Sequence, residues 1–189
     1  GRGNNSSFGI SPCCCLCHKN SKSNELPCGC PGTKVLDFRE SKTQKAQKAS
    51  ASAKHIKEEN KRGEHLMDSE LKQWPVQLAL VPENSPYFEK ARLLVAADCV
   101  PFAFANFHSE FLQGKALVIG CPKLDNAESY IEKLSVIIKS NSIKEITVAH
   151  MEVPCCFGLQ SIVKEAVEKA GSKAIVRQNI ISVRGEIKN

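Results

Sequence analysis

The sequence predicts an α/β fold, on three observations. From Trp74 onward, short aliphatic runs such as LLVAA at 93–97 and ALVIG at 116–120 alternate with amphipathic stretches. Continuous aliphatic runs suit strands buried on both faces, and these belong to parallel sheets covered by helices. Several of the runs stop at a proline-marked break, where a strand gives way to a helix.

Taken in order, residues 77–81 (QLALV) read as the first strand. Ser85 followed by Pro86 is an N-cap with proline at the first helical position, so a short helix is expected over 86–92. Residues 93–97 form a buried strand that stops at Asp98 and Cys99. Residues 102–112 are expected to be helical and to end near Gly114. The strand at 116–120 stops at Cys121 and Pro122. Asp125 and Glu128 have the capping-box spacing and open a helix of about 15 residues, striped by Ile131, Leu134, Val136, Ile137 and Ile138. A strand follows at 143–149. A helix over 157–170 then buries Leu159, Ile162, Val163, Ala166 and Val167, with Gly171 closing it. Residues 174–183 supply one or two closing strands. The pattern predicts a Rossmann-like, doubly wound, mostly parallel sheet of about five strands over residues 74–189.

Two segments precede this domain. Residues 1–38 hold six of the ten cysteines and few apolar residues, so they form a Cys-rich, mostly irregular segment. Residues 39–73 are rich in Lys, Glu, Ala, Ser and Gln without an apolar stripe, as in a charged linker. The net charge of +6 divides into +2, +3 and +1 over the three parts, counted from the sequence. A nearly neutral domain argues against nucleic acid as the partner. No apolar run approaches the ~20 residues that span a bilayer, and no signal-peptide core is visible, so a cytoplasmic location without membrane attachment is expected. The chain opens on Gly1 rather than Met, as a fragment or processed product would. In a reducing compartment ten cysteines point to metal or redox chemistry rather than a disulfide framework.

Cys99, Cys121, Cys155 and Cys156 each follow a predicted strand. Parallel strands finish at one edge, where ligands of such folds bind, so the topology draws these four thiols together. Four thiolates make a complete set for an iron–sulfur cluster or for zinc. The helix N-termini that follow favour thiolate. Adjacent cysteines do not readily serve one metal, so Cys155 and Cys156 are expected to divide their roles. His150 and His108 are possible substitutes, although a core position for His150 and a solvated one for His108 account for them without chemistry. Asp98 either accepts backbone hydrogen bonds or caps the next helix. A single strand-end cysteine is more often packing than ligand.

Ahead of the domain, Cys14, Cys17, Cys28 and Cys30 have C-x₂-C-x₁₀-C-x-C spacing, which would close a small metal loop, with Cys13, Cys15 and His18 as competitors. The same run matches the C-x-x-C-H haem attachment pattern, but haem attachment of that kind follows export and no export signal is visible, so a metal loop is the preferred expectation.

The block PCGCPG at 27–32, the run from LKQWPVQLALV through ADCVPFAFANFH, and the later GCPKLD and MEVPCCFG carry a resemblance. Residues 27–38 and 71–187 resemble the C-terminal part of ferredoxin-like 4Fe–4S-binding proteins of anaerobic bacteria and archaea. In that group a two-cluster ferredoxin module precedes this block. Its C-x₂-C-x₂-C-x₃-C-P runs are absent from this sequence. The resemblance implies a 4Fe–4S cluster and electron transfer with a ferredoxin or other redox protein as partner. Two alternatives stand beside it: a thiol–disulfide or sulfur-transfer enzyme using Cys155 and Cys156, and a non-catalytic interaction domain whose cysteines belong to the core.

Overall fold

The structure is a computed structural model and describes residues 34–39 and 68–188. Cys14, Cys17, Cys28 and Cys30 lie outside the described residues, as do residues 40–67 of the expected linker.

A five-stranded sheet carries the fold. Its strands are β3 (Arg92–Ala97), β4 (Ala116–Gly120), β5 (Glu145–Met151), β6 (Ile175–Ile181) and β7 (Ile187–Lys188), in the spatial order β4-β3-β5-β6-β7. The first four are parallel and β7 closes antiparallel on β6. β3 lies inside the sheet, between β4 and β5, and is apolar on both faces, with Leu93 through Ala97 all buried. The register pairs Ala96 with Ala149 and Ala97 with Gly120, so small residues gather at the carboxyl end of the sheet. There helices and loops can approach the strands closely.

The chain leaves β3 toward β4 on one side and returns past β3 to β5 on the other. Right-handed crossovers in opposite directions put their connections on opposite faces. α2 (Ala127–Ser140) and α3 (Pro154–Lys169) pack against each other on one face. The β3–β4 connection covers the other face with α1 (Val100–Ala103) and a six-residue π-helical segment, Phe107–Leu112. The reversal between β3 and β5 is the switch point at which such sheets bind ligands.

Several elements depart from the sequence expectation. Residues 77–81 are not a strand: Gln77 makes one parallel bridge to Ile119, and the chain then turns, with Leu80 and Val81 N–H both donating to Gln77 O. The helix expected over 86–92 is three residues of 3₁₀, Pro86–Phe88, because Lys90 takes a positive φ of 49° and its N–H bonds Asn141 O. The helix expected over 102–112 is broken at Phe104, which is extended. The wide π turn that follows lets Phe107, Phe111 and Leu112 all face the core, with Phe104 and Phe111 edge to face at 5.2 Å. β5 runs two residues further than expected and takes in His150 and Met151. The closing hairpin turns at Val183–Glu186, so its second strand falls beyond the expected 174–183. Gly185 makes this turn possible. Its φ is 82° and a Cβ there would stand 2.3 Å from Ala103 O.

Ahead of the main sheet, β1 (Leu36–Asp37) and β2 (Gln73–Trp74) form an antiparallel ribbon. It guards the open edge of β4. Gln73 Nε2 donates to Leu117 O at 2.8 Å and Gln73 Oε1 accepts from Leu117 N–H at 3.0 Å, so one side chain imitates a neighbouring strand.

Candidate functional site

The four strand-end cysteines all stand at the carboxyl edge of the sheet, and three elements place them. β3 ends at Ala97 and Cys99 is the exposed N-cap residue of α1, its carbonyl accepting from Phe102 and Ala103 N–H. β4 ends at Gly120 and Cys121 is half-buried in the loop that follows. β5 ends at Met151 and α3 begins at Pro154, so Cys155 and Cys156 lie in the first turn of the helix rather than ahead of it. Pro154 sets that start, since a proline at the first helical position loses no hydrogen bond.

The two adjacent thiols differ. Cys155 is exposed and Cys156 is buried. Burial pushes the Cys156 thiol up. A backbone hydrogen bond from Met151 partly offsets this, and Cys155 and Cys99 add to the rise. Cys155 and Cys99 are therefore both close enough to act on Cys156. Cys121 is not among the groups acting on Cys156. Among the described residues no three of His, Cys, Asp and Glu are gathered as a group able to hold a metal ion. The donors are of the right type for zinc or an iron–sulfur cluster, but no closed ligand shell stands ready.

The loop after β4 is held by an acid. Asp125 Oδ2 accepts from Cys121 N–H at 3.1 Å and from the Tyr130 hydroxyl at 2.5 Å. The cap of α2 falls one residue after the expected box: Asn126 Oδ1 accepts from Ser129 N–H at 2.9 Å, which leaves Asp125 free for the loop. Tyr130 lies over Gly120, where a Cβ would meet its ring and hydroxyl at 2.6 Å. Burial and Asp125 hold the Tyr130 phenol far above its ordinary range, so it donates and stays neutral. Asp98 neither caps α1 nor accepts a backbone bond. Its Oδ1 is buried without a hydrogen-bond partner among the described residues, and burial, then Asp125, pushes its carboxyl up.

The two histidines are not at hand for a metal. His150 is fully buried; Nδ1 bonds Met151 O at 2.8 Å and Nε2 bonds Gln178 Nε2 at 2.6 Å. With Gln178 donating, the proton sits on Nδ1 and both ring nitrogens are engaged. His108 Nδ1 accepts from Glu70 N–H and lines a separate hollow with Asp68, Ser69 and Asn106. These are the core and surface roles the sequence allowed for them.

Sequence reasoning missed the rim of this edge. Phe102 is 92% exposed, Leu124 81% and Phe157 46%. Each follows a strand-end cysteine by two or three residues, Cys99, Cys121 and Cys155 respectively. That recurrence was visible in the sequence; what the sequence could not tell was that all three side chains point outward.

A family profile described as Rossmann-like domain matches residues 85–189. The chain belongs to that family. An uncharacterized protein of Archaeoglobus fulgidus is 32% identical over 118 residues, covering 62% of this chain and 83% of the relative. No solved structure matches. Neither match carries an iron–sulfur or redox description. Family and sheet order agree with the α/β, Rossmann-like architecture expected from the sequence. Among the described residues no helix is long and apolar enough to cross a membrane.

Proposed function

We propose that the carboxyl edge of the sheet is a thiolate site for an iron–sulfur centre of the 4Fe–4S type, with zinc as the alternative occupant. Cys99, Cys121 and Cys155 would hold it, one from each of three strand ends, and Cys156 would complete the set or support Cys155 from behind. The observation that carries this reading is the convergence of Cys99, Cys155 and Cys156 at the switch point, with Cys121 on the adjoining loop. A 16-residue helix begins at the adjacent thiols, and its dipole favours thiolate there. The resemblance to ferredoxin-like 4Fe–4S proteins points the same way. A bound cluster would supply a one-electron couple. The apolar rim of Phe102, Leu124 and Phe157 would keep water from the centre and offer a ferredoxin or other redox protein a landing surface. Such a site belongs in a reducing compartment, the cytoplasm of an anaerobe.

Anaerobic purification and reconstitution test the reading. Iron and sulfide should be found together, with broad visible absorption from thiolate-to-iron charge transfer, and Cys99→Ala, Cys121→Ala and Cys155→Ala should each lower the iron content. Protein with neither iron, sulfide nor zinc would end it.

A second reading rests on the contrast between exposed Cys155 and buried Cys156. Cys155 thiolate would attack a substrate disulfide, releasing one substrate thiolate. A neighbouring thiol would then displace the second, leaving an intramolecular disulfide and a reduced substrate. Alkylation at mildly acidic pH separates the two. Fast modification of Cys155 in metal-free protein favours thiol chemistry, whereas protection that a chelator lifts favours the metal centre. In either case Cys156 should react last.

A further inference from the structure

We propose that the hollow at the amino edge of the sheet, opposite the thiols, binds a small phosphate-bearing molecule. It encloses about 320 Å³ and is lined by Arg39, Lys72, Lys90, Arg92 and Lys115, with Glu89 as its carboxylate. That volume is near the lower end for ligand sites, so the occupant is small. Five cations around one hollow are a large concentration for the described residues, which carry 16 Lys/Arg against 15 Asp/Glu, a net +1.

The cations differ in how they are neutralised. Arg39 pairs with Asp37 at 2.6 Å, while Lys72 and Lys90 have weak surface pairs at 3.9 and 4.0 Å. Arg92 and Lys115 make no ion pair among the described residues. Arg92 Nη2 donates to Gly114 O at 3.3 Å and Lys115 Nζ to Phe111 O at 2.6 Å. Burial first, and Arg92 second, lower the affinity of Lys115 for its proton, and Glu145 only partly offsets them. An anion between the two would relieve that repulsion, and a guanidinium fork suits phosphate oxygens.

Two further features point to an occupant. Tyr87 is 1% exposed, lines the hollow, and its hydroxyl has no hydrogen-bond partner among the described residues. Ser85 acts on it from beyond hydrogen-bond geometry, and its own hydroxyl donates to Pro82 O at 2.8 Å. A buried, unmet hydroxyl costs stability unless something meets it. Gly114 has φ 68°, and a Cβ there would stand 2.7 Å from Arg92 Nη2. The glycine therefore leaves room for the guanidinium at the mouth of the hollow.

The site lies on the other edge from the thiols and stands or falls independently of them. Its test is calorimetric titration of the full chain at fixed ionic strength with inorganic phosphate, pyrophosphate and a sugar phosphate. Saturable binding is expected, weakened about tenfold by Lys115→Gln or Arg92→Met, which corresponds to about 1.4 kcal/mol. Tyr87→Phe should weaken it several-fold while leaving the thermal stability of the free protein unchanged or higher. Lys164→Met, on the exposed face of α3, should bind as the native chain does. Equal affinity for all three probes assigns free phosphate as the ligand; tighter binding of the sugar phosphate assigns an organic phosphate. The absence of saturable binding, or binding that Lys115→Gln and Tyr87→Phe both leave unchanged, overturns the proposal.

Discussion

β3 begins at Arg92 and ends at Ala97, and its two ends face different chemistry. Beyond Ala97 come Asp98 and Cys99, with Cys121 and Asp125 from the loop after β4 and Cys155 and Cys156 from the first turn of α3. Around Arg92 stand Lys90, Lys115, Lys72 and Arg39. Backbone dipoles explain the division. In a parallel sheet with helical crossovers, helix N-termini gather at the carboxyl edge and helix C-termini at the amino edge. Acids and thiolates are favoured beside the first and cations beside the second. Lys90 stands beside one such end: its backbone N–H bonds the carbonyl of Asn141, the residue that ends α2. One fold thus offers two electrostatically opposite surfaces, and the polar side chains follow the sign.

The edges also differ in tightness. Gly120 at the thiol edge lies beneath a buried ring whose hydroxyl is tied to Asp125, so an added methyl has nowhere to go. Gly114 at the basic edge lies beneath the far end of Arg92, which can swing away. Gly120→Ala should therefore cost about 2–3 kcal/mol, in the range of core overpacking. Gly114→Ala should cost about 1–2 kcal/mol, the penalty of its left-handed backbone alone. Urea denaturation of both variants measures this. Equal losses would show that the basic edge is as rigid as the thiol edge.

This contrast marks what the sequence could and could not tell. Aliphatic runs located β3 and β4 to within a residue, because strands buried on both faces have no competing pattern. The helices around Leu134 and Leu159 were readable for the same reason, as apolar stripes of helical period. Residues 77–81 and 102–112 were misread because tertiary partners decide them: Ile119 accepts a single bridge, and the core draws in three residues from one wide turn. The cysteine edge was legible, since topology alone carries strand ends together. The roles of Asp98, Asp125 and Tyr130 were not, because Asp125 fitted a helix cap equally well and only packing shows Tyr130 over Gly120. The basic hollow was invisible for a different reason. Its five cations come from positions spread between 39 and 115, and nothing local links them.

A pair of tyrosines sharpens the comparison at smaller scale. Tyr130 donates to Asp125, so Tyr130→Phe should lose about 1.5–2 kcal/mol, as for a hydrogen bond to a charged group. Tyr87 has no bond to lose, so Tyr87→Phe should change stability by less than about 0.5 kcal/mol. Thermal melts of the two variants side by side make the measurement. A loss in Tyr87→Phe as large as in Tyr130→Phe would mean that its hydroxyl is satisfied within the free protein.

One substitution is expected to give a gain. Asp98 carries a carboxyl whose Oδ1 is buried and unpartnered beside Asp125, so ionising it works against the fold. Its folded-state pKa lies above the unfolded one. The sign follows: the folded state binds this proton more tightly, the stabilisation is complete below the ordinary carboxylate range, and it is lost as pH rises through the raised value. Asp98→Asn keeps the shape and removes the charge. It should raise stability at neutral pH, by less than about 1 kcal/mol once solvent screening of a partly exposed group is allowed for. It should also flatten the decline in melting temperature between mildly acidic and neutral pH. The basic edge supplies the mirror case. Lys115 is pushed down by burial and by Arg92, so its folded state binds a proton less tightly and the penalty eases only as pH rises toward the alkaline range. Opposite slopes in Asp98→Asn and Lys115→Gln, each measured against the native chain, would establish that burial, reinforced by a like charge, works against ionisation at both ends of β3. Parallel slopes would mean that one edge has found a counter-ion, and the basic edge, with phosphate in the buffer, is where that should be sought first.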